Sequence, residues 1–169
     1  PGRIVVSGSQ YYYNDDHQTP DTQTAVFEYN DGQIIYEMRL WTPYKLENHD
    51  NGAVAYGTEG KMDFGRSGVV VTKEDEQFNI ESQEPVEDII TNYLSAVRGD
   101  NPDLLNSPID RGAAAVNMCN LANIATRLGS SSITYDPVKE AVSCPGHDRE
   151  ANALLSRKYR KGYELPYNG

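Results

Sequence analysis

Two histidine–aspartate dipeptides are the residues of this chain that most directly suggest catalysis. His49 precedes Asp50, and His147 precedes Asp148. Histidine titrates near neutral pH and a carboxylate can orient its ring, so a histidine–aspartate pair can act as a general base. Consecutive residues of a strand point to opposite faces, however, and sequence neighbours seldom form the working pair. We therefore expect neither dipeptide to be catalytic, and we expect Asp148 to be the N-cap of the last helix.

A polar cluster near the N-terminus contains side chains that can bind metal ions, namely Asp15, Asp16, His17 and Asp21. Calcium loops need alternating oxygen ligands with a distal bidentate acid, and zinc sites favour Cys or His at helical or knuckle spacing. The cluster has neither spacing. Because polar residues beside proline usually mark loops, we predict a solvated turn that leads into Thr19-Pro20-Asp21, and no metal site.

The first residues superficially resemble the start of a dinucleotide-binding fold, since an apolar strand runs into glycine at Arg3-Ile4-Val5-Val6-Ser7-Gly8-Ser9. A phosphate-binding turn needs further glycines and a helix whose N-terminus faces the phosphates. Three tyrosines and then Asn14-Asp15-Asp16 follow instead, and the acids would repel phosphate. We predict no cofactor-binding residues. A covalent nucleophile is also unsupported, because there is no Gly-x-Ser-x-Gly motif and neither Cys119 nor Cys144 has a histidine next to it in the sequence.

The elements that must position these residues are strands first and helices afterwards. Alternating and β-branched patterns predict strands over residues 3–13, 24–29, 33–41, 53–56, 61–64, 68–72 and 133–135, with a tight turn at Asn30-Asp31-Gly32. Helical patterns cover residues 85–98, 110–128 and 148–157, with Pro85 as the first helical position and Gly99 and Gly129 as stops. This order predicts an α+β fold: one domain over residues 1–169, with an open, mainly antiparallel sheet and helices packed on one face.

The strand over residues 33–41 is unusual because both of its faces carry apolar side chains. One face carries Ile34, Tyr36, Met38 and Leu40, and the other carries Ile35, Glu37, Arg39 and Trp41. The second face is neither plainly solvated nor plainly core. We therefore expect another surface to dock there.

Composition excludes several classes of partner. The formal net charge of −10 opposes contact with a phosphate backbone, so nucleic acid is not expected as a partner. No run approaches the roughly 20 apolar residues that span a bilayer, so we expect a soluble protein without a membrane partner. Two cysteines do not fix the redox compartment. The chain begins at Pro1 without a leader, which suggests a processed or excised piece and leaves both cytoplasm and periplasm open.

Several short motifs in order resemble the C-terminal, substrate-side domain of Gfo/Idh/MocA oxidoreductases. They are Thr19-Pro20-Asp21-Thr22, Phe27-Glu28-Tyr29, Tyr56-Gly57-Thr58-Glu59-Gly60-Lys61, Asn92-Tyr93-Leu94, Val97-Arg98, Leu121-Ala122-Asn123-Ile124-Ala125, Arg127-Leu128-Gly129, Tyr135-Asp136-Pro137, Glu150-Ala151-Asn152 and Tyr159-Arg160. They span nearly the whole chain. Ala113 departs from the pattern, because some relatives carry a histidine directly after the glycine at this point.

The resemblance implies a glyceraldehyde-3-phosphate-dehydrogenase-like C-terminal fold and a parent enzyme that oxidises or reduces a sugar, inositol or similar polyol with NAD or NADP. It implies that the Rossmann domain and the catalytic lysine and Asp…His segments lie upstream, so this chain alone is expected to be inactive and to hold no cofactor, metal or catalytic residue. The missing Rossmann domain and a second copy bound through the sheet face are the expected partners.

The polar and aromatic residues at the end of the strand over residues 33–41 and in the next loop, Arg39, Trp41, Tyr44 and Lys45, are predicted to contact a sugar-like molecule. An oligomer contact or a contact with the missing domain explains them equally well. The alternative function is a stand-alone module, derived from such a domain, that binds carbohydrate or protein. A third, weaker alternative is a purely structural homo-oligomer.

Overall fold

The computed structural model of the chain describes residues 2–65, 68–74, 76–80 and 88–164. The contacts divide the chain into two compact units. The terminal unit consists of Pro1–Trp41 and Ile109–Gly169, and the middle unit consists of Thr42–Pro108. Each unit is described by itself below. That residues 1–169 act as one domain stays a prediction.

The described elements are nine strands, three α-helices and one short 3-10 helix. The strands are β1 (Arg3–Ser9), β2 (Thr22–Glu28), β3 (Gln33–Arg39), β4 (Gly52–Tyr56), β5 (Lys61–Gly65), β6 (Gly68–Lys73), β7 (Glu76–Ile80), β8 (Ser132–Asp136) and β9 (Ala141–Ser143). The helices are α1 (Ile89–Arg98), α2 (Ile109–Arg127) and α3 (Asp148–Ala153), with the 3-10 helix at Pro102–Leu104. The predicted α+β class is confirmed. The strands form two antiparallel sheets, where the patterns had predicted one.

The terminal unit contains the five-stranded sheet, in the order β3-β2-β1-β8-β9. Because side chains alternate between the two faces of a strand, every second side chain of the sheet points towards the helices. Ile4, Ala25 and Phe27 are examples, and all three are buried. α2 packs on this face, and its C-terminal half supplies Leu121 and Ala125 to the core. The remaining buried core residues are Val6, Ala122, Ile124, Ile133, Val142, Cys144 and Ala151. One apolar layer between sheet and helices therefore holds this unit together.

The two edges of this sheet are different. β3 forms one edge and has hydrogen-bonded strand pairing only with β2. β9 forms the other edge, and the side chain of Asn152 occupies its outer side. The Val142 N–H donates to Asn152 Oδ1 at 3.0 Å, and Asn152 Nδ2 donates to the Val142 carbonyl at 2.6 Å. The Asn152 amide thus takes the place of a further strand beside β9.

The middle unit contains the four-stranded meander β4-β5-β6-β7 and helix α1. α1 begins after Asp88, whose carboxylate accepts hydrogen bonds from the N–H groups of Ile90 and Thr91, both at 3.1 Å. The predicted first helical position, Pro85, lies outside the described residues. The apolar residues of α1 are exposed, whereas Asn92 and Ala96 are its buried residues. The exposed apolar residues are Ile89, Ile90, Tyr93, Leu94 and Val97. No helix in the described part of the chain is long and apolar enough to cross a membrane.

Several element boundaries differ from the prediction. β1 ends at Ser9 and β3 at Arg39, so the three tyrosines and Trp41 lie in loops. β7 and β9 were not predicted, and α3 is shorter than predicted. The turn after β2 is confirmed by the hydrogen bond from Tyr29 N–H to Gly32 O at 2.9 Å, although none of its three predicted turn residues adopts a positive φ. Gly129, with φ of 64°, ends α2 as predicted.

Candidate functional site

The loop between β1 and β2 is organised around one buried carboxylate, that of Asp21, which is 3% exposed. The N–H groups of Tyr11, Tyr12 and Tyr13 donate to it at 3.1, 2.8 and 2.9 Å, and the Thr22 hydroxyl donates at 2.7 Å. Burial alone would raise the pKa of Asp21, but the donors outweigh burial and hold this pKa far below its usual range. Asp21 is thus a buried, charged anchor, and the prediction that it belongs to a solvated turn is wrong.

This anchor orders a group of aromatic side chains at the end of the sheet. The ring of Tyr12 stacks on that of Trp41, with centroids 5.4 Å apart and planes 19° apart. Tyr13 meets Tyr12 edge-on, with centroids 5.1 Å apart. Trp41 is fixed in turn, because its indole N–H donates to the Thr22 hydroxyl at 2.9 Å. We call Tyr12, Tyr13 and Trp41 the aromatic platform.

A cavity of about 120 Å³ adjoins the platform through Tyr13. Its other lining residues are Gln10, Asp15, His17, Thr19, Pro20, Asp21 and Leu40. Asp15 accepts from His17 twice, from Nδ1 at 2.7 Å and from the backbone N–H at 3.0 Å. These bonds, the backbone one first, lower the pKa of Asp15. The Nε2 atom of His17 takes part in no hydrogen bond among the described residues and is available to a ligand.

No metal cluster forms in the described part of the chain, where no three His, Cys, Asp or Glu side chains converge. Asp15, Asp16 and His17 are exposed, as the predicted turn requires. Asp21 cannot be a free ligand in this arrangement, because both of its oxygens already accept hydrogen bonds. The two cysteines are free thiols, Cys119 exposed and Cys144 buried.

The four residues predicted to contact a sugar-like molecule are divided between the two units. Arg39 and Trp41 belong to the terminal unit, and Trp41 joins Tyr12 as described above. Tyr44 and Lys45 belong to the middle unit, where both are exposed. The sequence patterns did not predict that Tyr12, Tyr13 and the Asp15–His17 pair belong to the same site. The cluster of three tyrosines was visible in the sequence, but nothing local indicated that Asp21 would fold them over the strand ends.

His49 forms the second histidine–carboxylate pair, and its partner is Asp63, not its sequence neighbour Asp50. Its Nε2–H donates to Asp63 Oδ1. Lys61 Nζ lies 3.4 Å from Asp63 Oδ2 and 3.7 Å from Glu47 Oε2. The hydrogen bond from His49 is the largest cause that lowers the pKa of Asp63, and Lys61 adds to it. Glu47 and His49 therefore fasten the same hairpin to β5 at two points.

The hairpin that carries His49 is a tight turn built on Glu47 and Asn48. Their φ angles are 49° and 66°, and Leu46 and His49 exchange backbone hydrogen bonds at 3.0 and 2.8 Å. Positive φ at both central positions is the signature of a type I′ turn. The imidazole lies against Gly52 and Gly65, which face each other across β4 and β5. A Cβ on Gly52 would lie 2.5 Å from His49 Cγ, so only glycine leaves room for the ring.

The second dipeptide, His147-Asp148, is structural, but not in the way predicted. His147 is the N-cap of α3 and makes no side-chain cap hydrogen bond, whereas Asp148 is the first helical residue. The Asp148 carboxylate accepts from the Cys144 N–H at 2.6 Å and from the Ser143 hydroxyl at 3.3 Å. The prediction that Asp148 is the N-cap is wrong, because its carboxylate instead stabilises the turn between β9 and α3.

Comparison of the chain with protein-family models, with curated proteins and with solved structures finds no match. The resemblance to Gfo/Idh/MocA oxidoreductases therefore stays a prediction that depends on the order of the short motifs.

Proposed function

We propose that the chain is the C-terminal, substrate-side and oligomerisation domain of an NAD(P)-dependent oxidoreductase that acts on a sugar, inositol or similar polyol. The order of the short motifs supports the family, and the α+β class is compatible with it. The Gfo/Idh/MocA C-terminal fold is part of this proposal. The domain's own task is to bind and orient the substrate, while the missing Rossmann domain supplies the cofactor.

The aromatic platform beside the cavity is the observation that carries the substrate-binding part of the proposal. A polyol presents C–H groups on one face and hydroxyl groups around its rim. Aromatic rings can pack against the C–H face, and a few fixed polar groups can form hydrogen bonds with the hydroxyl groups. Trp41, stacked on Tyr12 and held by Thr22, provides a ring that is 41% exposed. Gln10, Asp15 and His17 provide polar groups at the cavity.

The charge of the site favours a neutral ligand over an anionic one. Asp15 and Asp21 both have lowered pKa values and remain ionised at neutral pH. A phosphate or carboxylate group placed in the cavity would meet these charges at short range. Hydroxyl groups, by contrast, can donate to the Asp15 carboxylate and to Nε2 of His17, which is the acceptor nitrogen of the ring because Nδ1 donates to Asp15. We therefore expect neutral polyols to bind better than phosphorylated sugars.

Trp41 gives a direct test, because it is the only tryptophan of the chain. Titration with glucose, myo-inositol and xylitol is expected to change the tryptophan fluorescence for at least one of them. Tyr12→Ala removes the stacking partner and is expected to weaken binding about fivefold to tenfold. The matched control is Tyr56→Ala, which removes an equally exposed tyrosine from the middle unit and is expected to leave binding unchanged. Equal effects of the two substitutions would contradict a site at the platform.

A second experiment tests whether cofactor binding belongs to the Rossmann domain and not to this chain. Calorimetry with NAD⁺ and NADP⁺ is expected to show no binding to this chain, and tight binding would overturn the proposal. The reading frame upstream of Pro1 then separates the parent enzyme from the stand-alone module. A Gly-x-Gly-x-x-Gly strand-turn-helix there supports the enzyme. A native start codon at that point supports the module.

A further inference from the structure

The outer edge of β3 is a long, exposed strand edge. β3 has seven residues, and its exposed side chains include Ile34 and Ile35, the latter 59% exposed. Monomeric proteins usually protect such an edge with charged side chains, proline, a bulge or a short strand, because free N–H and C=O groups there pair readily with another strand. β3 carries two charged residues, Glu37 and Arg39, and they are of opposite sign. β3 contains neither proline nor lysine, and its register with β2 runs without a bulge.

The hydrogen-bond pattern shows which backbone groups of β3 point outward. Tyr29 N–H donates to Gly32 O and Leu40 N–H donates to Asp21 O, both at 2.9 Å, at the two ends of the hairpin. Bonded and non-bonded pairs alternate along an antiparallel ladder. The even-numbered residues between these ends are therefore bonded to β2. The N–H and C=O groups of the odd-numbered residues, which are Gln33, Ile35, Glu37 and Arg39, point away from the sheet.

Two of these outward residues carry opposite charges. Glu37 and Arg39 lie two residues apart on the same face, and neither makes an ion pair or side-chain hydrogen bond with any residue that the structure describes. If a second β3 approached antiparallel about a two-fold axis at Met38, Glu37 of each copy would lie opposite Arg39 of the other. Tyr36 would lie opposite Leu40 on the other face. Both charges and both apolar side chains would then gain complementary neighbours.

Neighbouring registers are less favourable. An axis at Glu37 places the two Glu37 carboxylates opposite each other. An axis at Tyr36 places Glu37 opposite Ile35, so that the charge meets an apolar side chain. Only the axis at Met38 brings outward-pointing residues of opposite charge together in a pair that exchanges both backbone hydrogen bonds.

We propose that β3 pairs antiparallel with β3 of a second copy of this chain, about a two-fold axis at Met38. The inference rests on the oligomerisation part of the proposed function, and it identifies the outer edge of β3 as the surface through which two copies bind. Packing through the open face of the sheet, which the sequence had suggested, is the competing arrangement. In this register only Glu37, Met38 and Arg39 of each β3 lie opposite β3 of the other copy, so the buried area is small and we expect a weak dimer.

Charge exchange tests the pairing. Sedimentation of the 169-residue chain from about 1 μM to about 1 mM should show a reversible dimer. Glu37→Arg and Arg39→Glu each place like charges opposite each other and should weaken the dimer about tenfold. The double variant, with both substitutions, should restore it. Both side chains are exposed, so circular dichroism should show an unchanged fold for all three variants.

The outcomes separate this inference from the proposed function. A chain that stays monomeric over this range overturns the edge pairing, as does a dimer that is indifferent to both single substitutions. A dimer weakened instead by Val26→Lys, on the open face of β2, supports face packing. Polyol binding reported by Trp41 fluorescence in Glu37→Arg tests the proposed function independently. That binding can persist where the dimer fails.

Discussion

The two histidine–carboxylate pairs of this chain resemble each other in chemistry and differ in construction. His17 and Asp15 are two residues apart in one loop of the terminal unit, and the His17 side chain is 72% exposed. His49 and Asp63 are 14 residues apart, on a hairpin and a strand of the middle unit, and the His49 side chain is 18% exposed. In the first pair, one ring nitrogen lies at a cavity and has no hydrogen bond to any residue that the structure describes, whereas the ring of the second pair lies against Gly52 and Gly65.

This difference shows how a histidine that can meet a ligand is distinguished from one that stabilises a fold. Asp63 is shared between His49 and Lys61, and the ring of His49 has glycines on its flank. Such a pair is satisfied within the protein. The Asp15–His17 pair orients one ring nitrogen and leaves the other exposed, which is what a proton-transfer or hydrogen-bonding group needs. Pairing with a carboxylate is thus no sign of function without access to the second nitrogen.

The largest expected effect on stability comes from adding a Cβ atom to one of the two glycines that flank the ring of His49. A Cβ on Gly65 would lie 2.5 Å from His49 Cε1, so Gly65→Ala must displace the ring from Asp63 or shift β5. We expect a loss of about 1–3 kcal/mol in the free energy of unfolding, as for overpacked cores. Urea unfolding followed by circular dichroism measures it. Gly57→Ala in the same unit is the control, since a Cβ there is 3.4 Å from its nearest neighbour, and a loss as large as that of Gly65→Ala would contradict the steric explanation.

Removal of the Asp21 anchor should disrupt the first pair and spare the second. Asp21→Ala leaves the N–H groups of Tyr11, Tyr12 and Tyr13 without their acceptor, so the loop should detach from the strand ends. Trp41 would then lose its stacking on Tyr12, and its emission should shift to longer wavelength. Asp16→Ala, an exposed neighbour in the same loop, should leave the emission unchanged. Unchanged emission in Asp21→Ala would show that the platform does not depend on this carboxylate.

The pH dependence of the free energy of unfolding should differ between the His49–Asp63 and His17–Asp15 pairs, although this difference is smaller than the two effects above. The pKa of Asp63 is lower in the folded chain, so its stabilisation is present above the unfolded pKa of about 3.9 and is lost as the pH falls through the folded value. Asp63→Asn should therefore flatten the acid side of the stability profile measured by urea unfolding between about pH 2 and 6. Asp15→Asn should flatten it less, because solvent screens the exposed pair. Equal flattening by the two substitutions would contradict this distinction.

The smallest effect on stability, and a larger one on binding, is expected from His17→Ala. Because its side chain is exposed, the free energy of unfolding should change by less than about 0.5 kcal/mol. Polyol affinity, measured by Trp41 fluorescence, should fall, since the hydrogen-bonding ring is lost from the cavity. His147→Ala is the control, because His147 is the N-cap of α3 and is not one of the residues that line the cavity. Unchanged affinity in His17→Ala would remove this histidine from the site.

Local patterns predicted the elements whose signals are contained within one segment. The extent of α2 and its stop at Gly129, and the alternation of β2, required no knowledge of distant residues. The contacts of Asp21 and of His49 with Asp63 could not be predicted, because each joins positions that only the folded chain brings together. β1 shows the consequence: its tyrosines have strand propensity, but the Asp21 carboxylate takes up their N–H groups.

If β3 pairs as proposed, the amide of Asn152 at the opposite edge limits how far the joined sheet can grow. A two-fold pairing uses the β3 edge of both copies and leaves their β9 edges at the two outer ends of a ten-stranded sheet. At each end, the N–H and C=O groups of Val142 are already bonded to Asn152. The proposed dimer would therefore offer no template for a third copy, and growth would stop at two chains. In that assembly, the side chain of Asn152 would keep the sheet finite by occupying the backbone groups that a further strand would need.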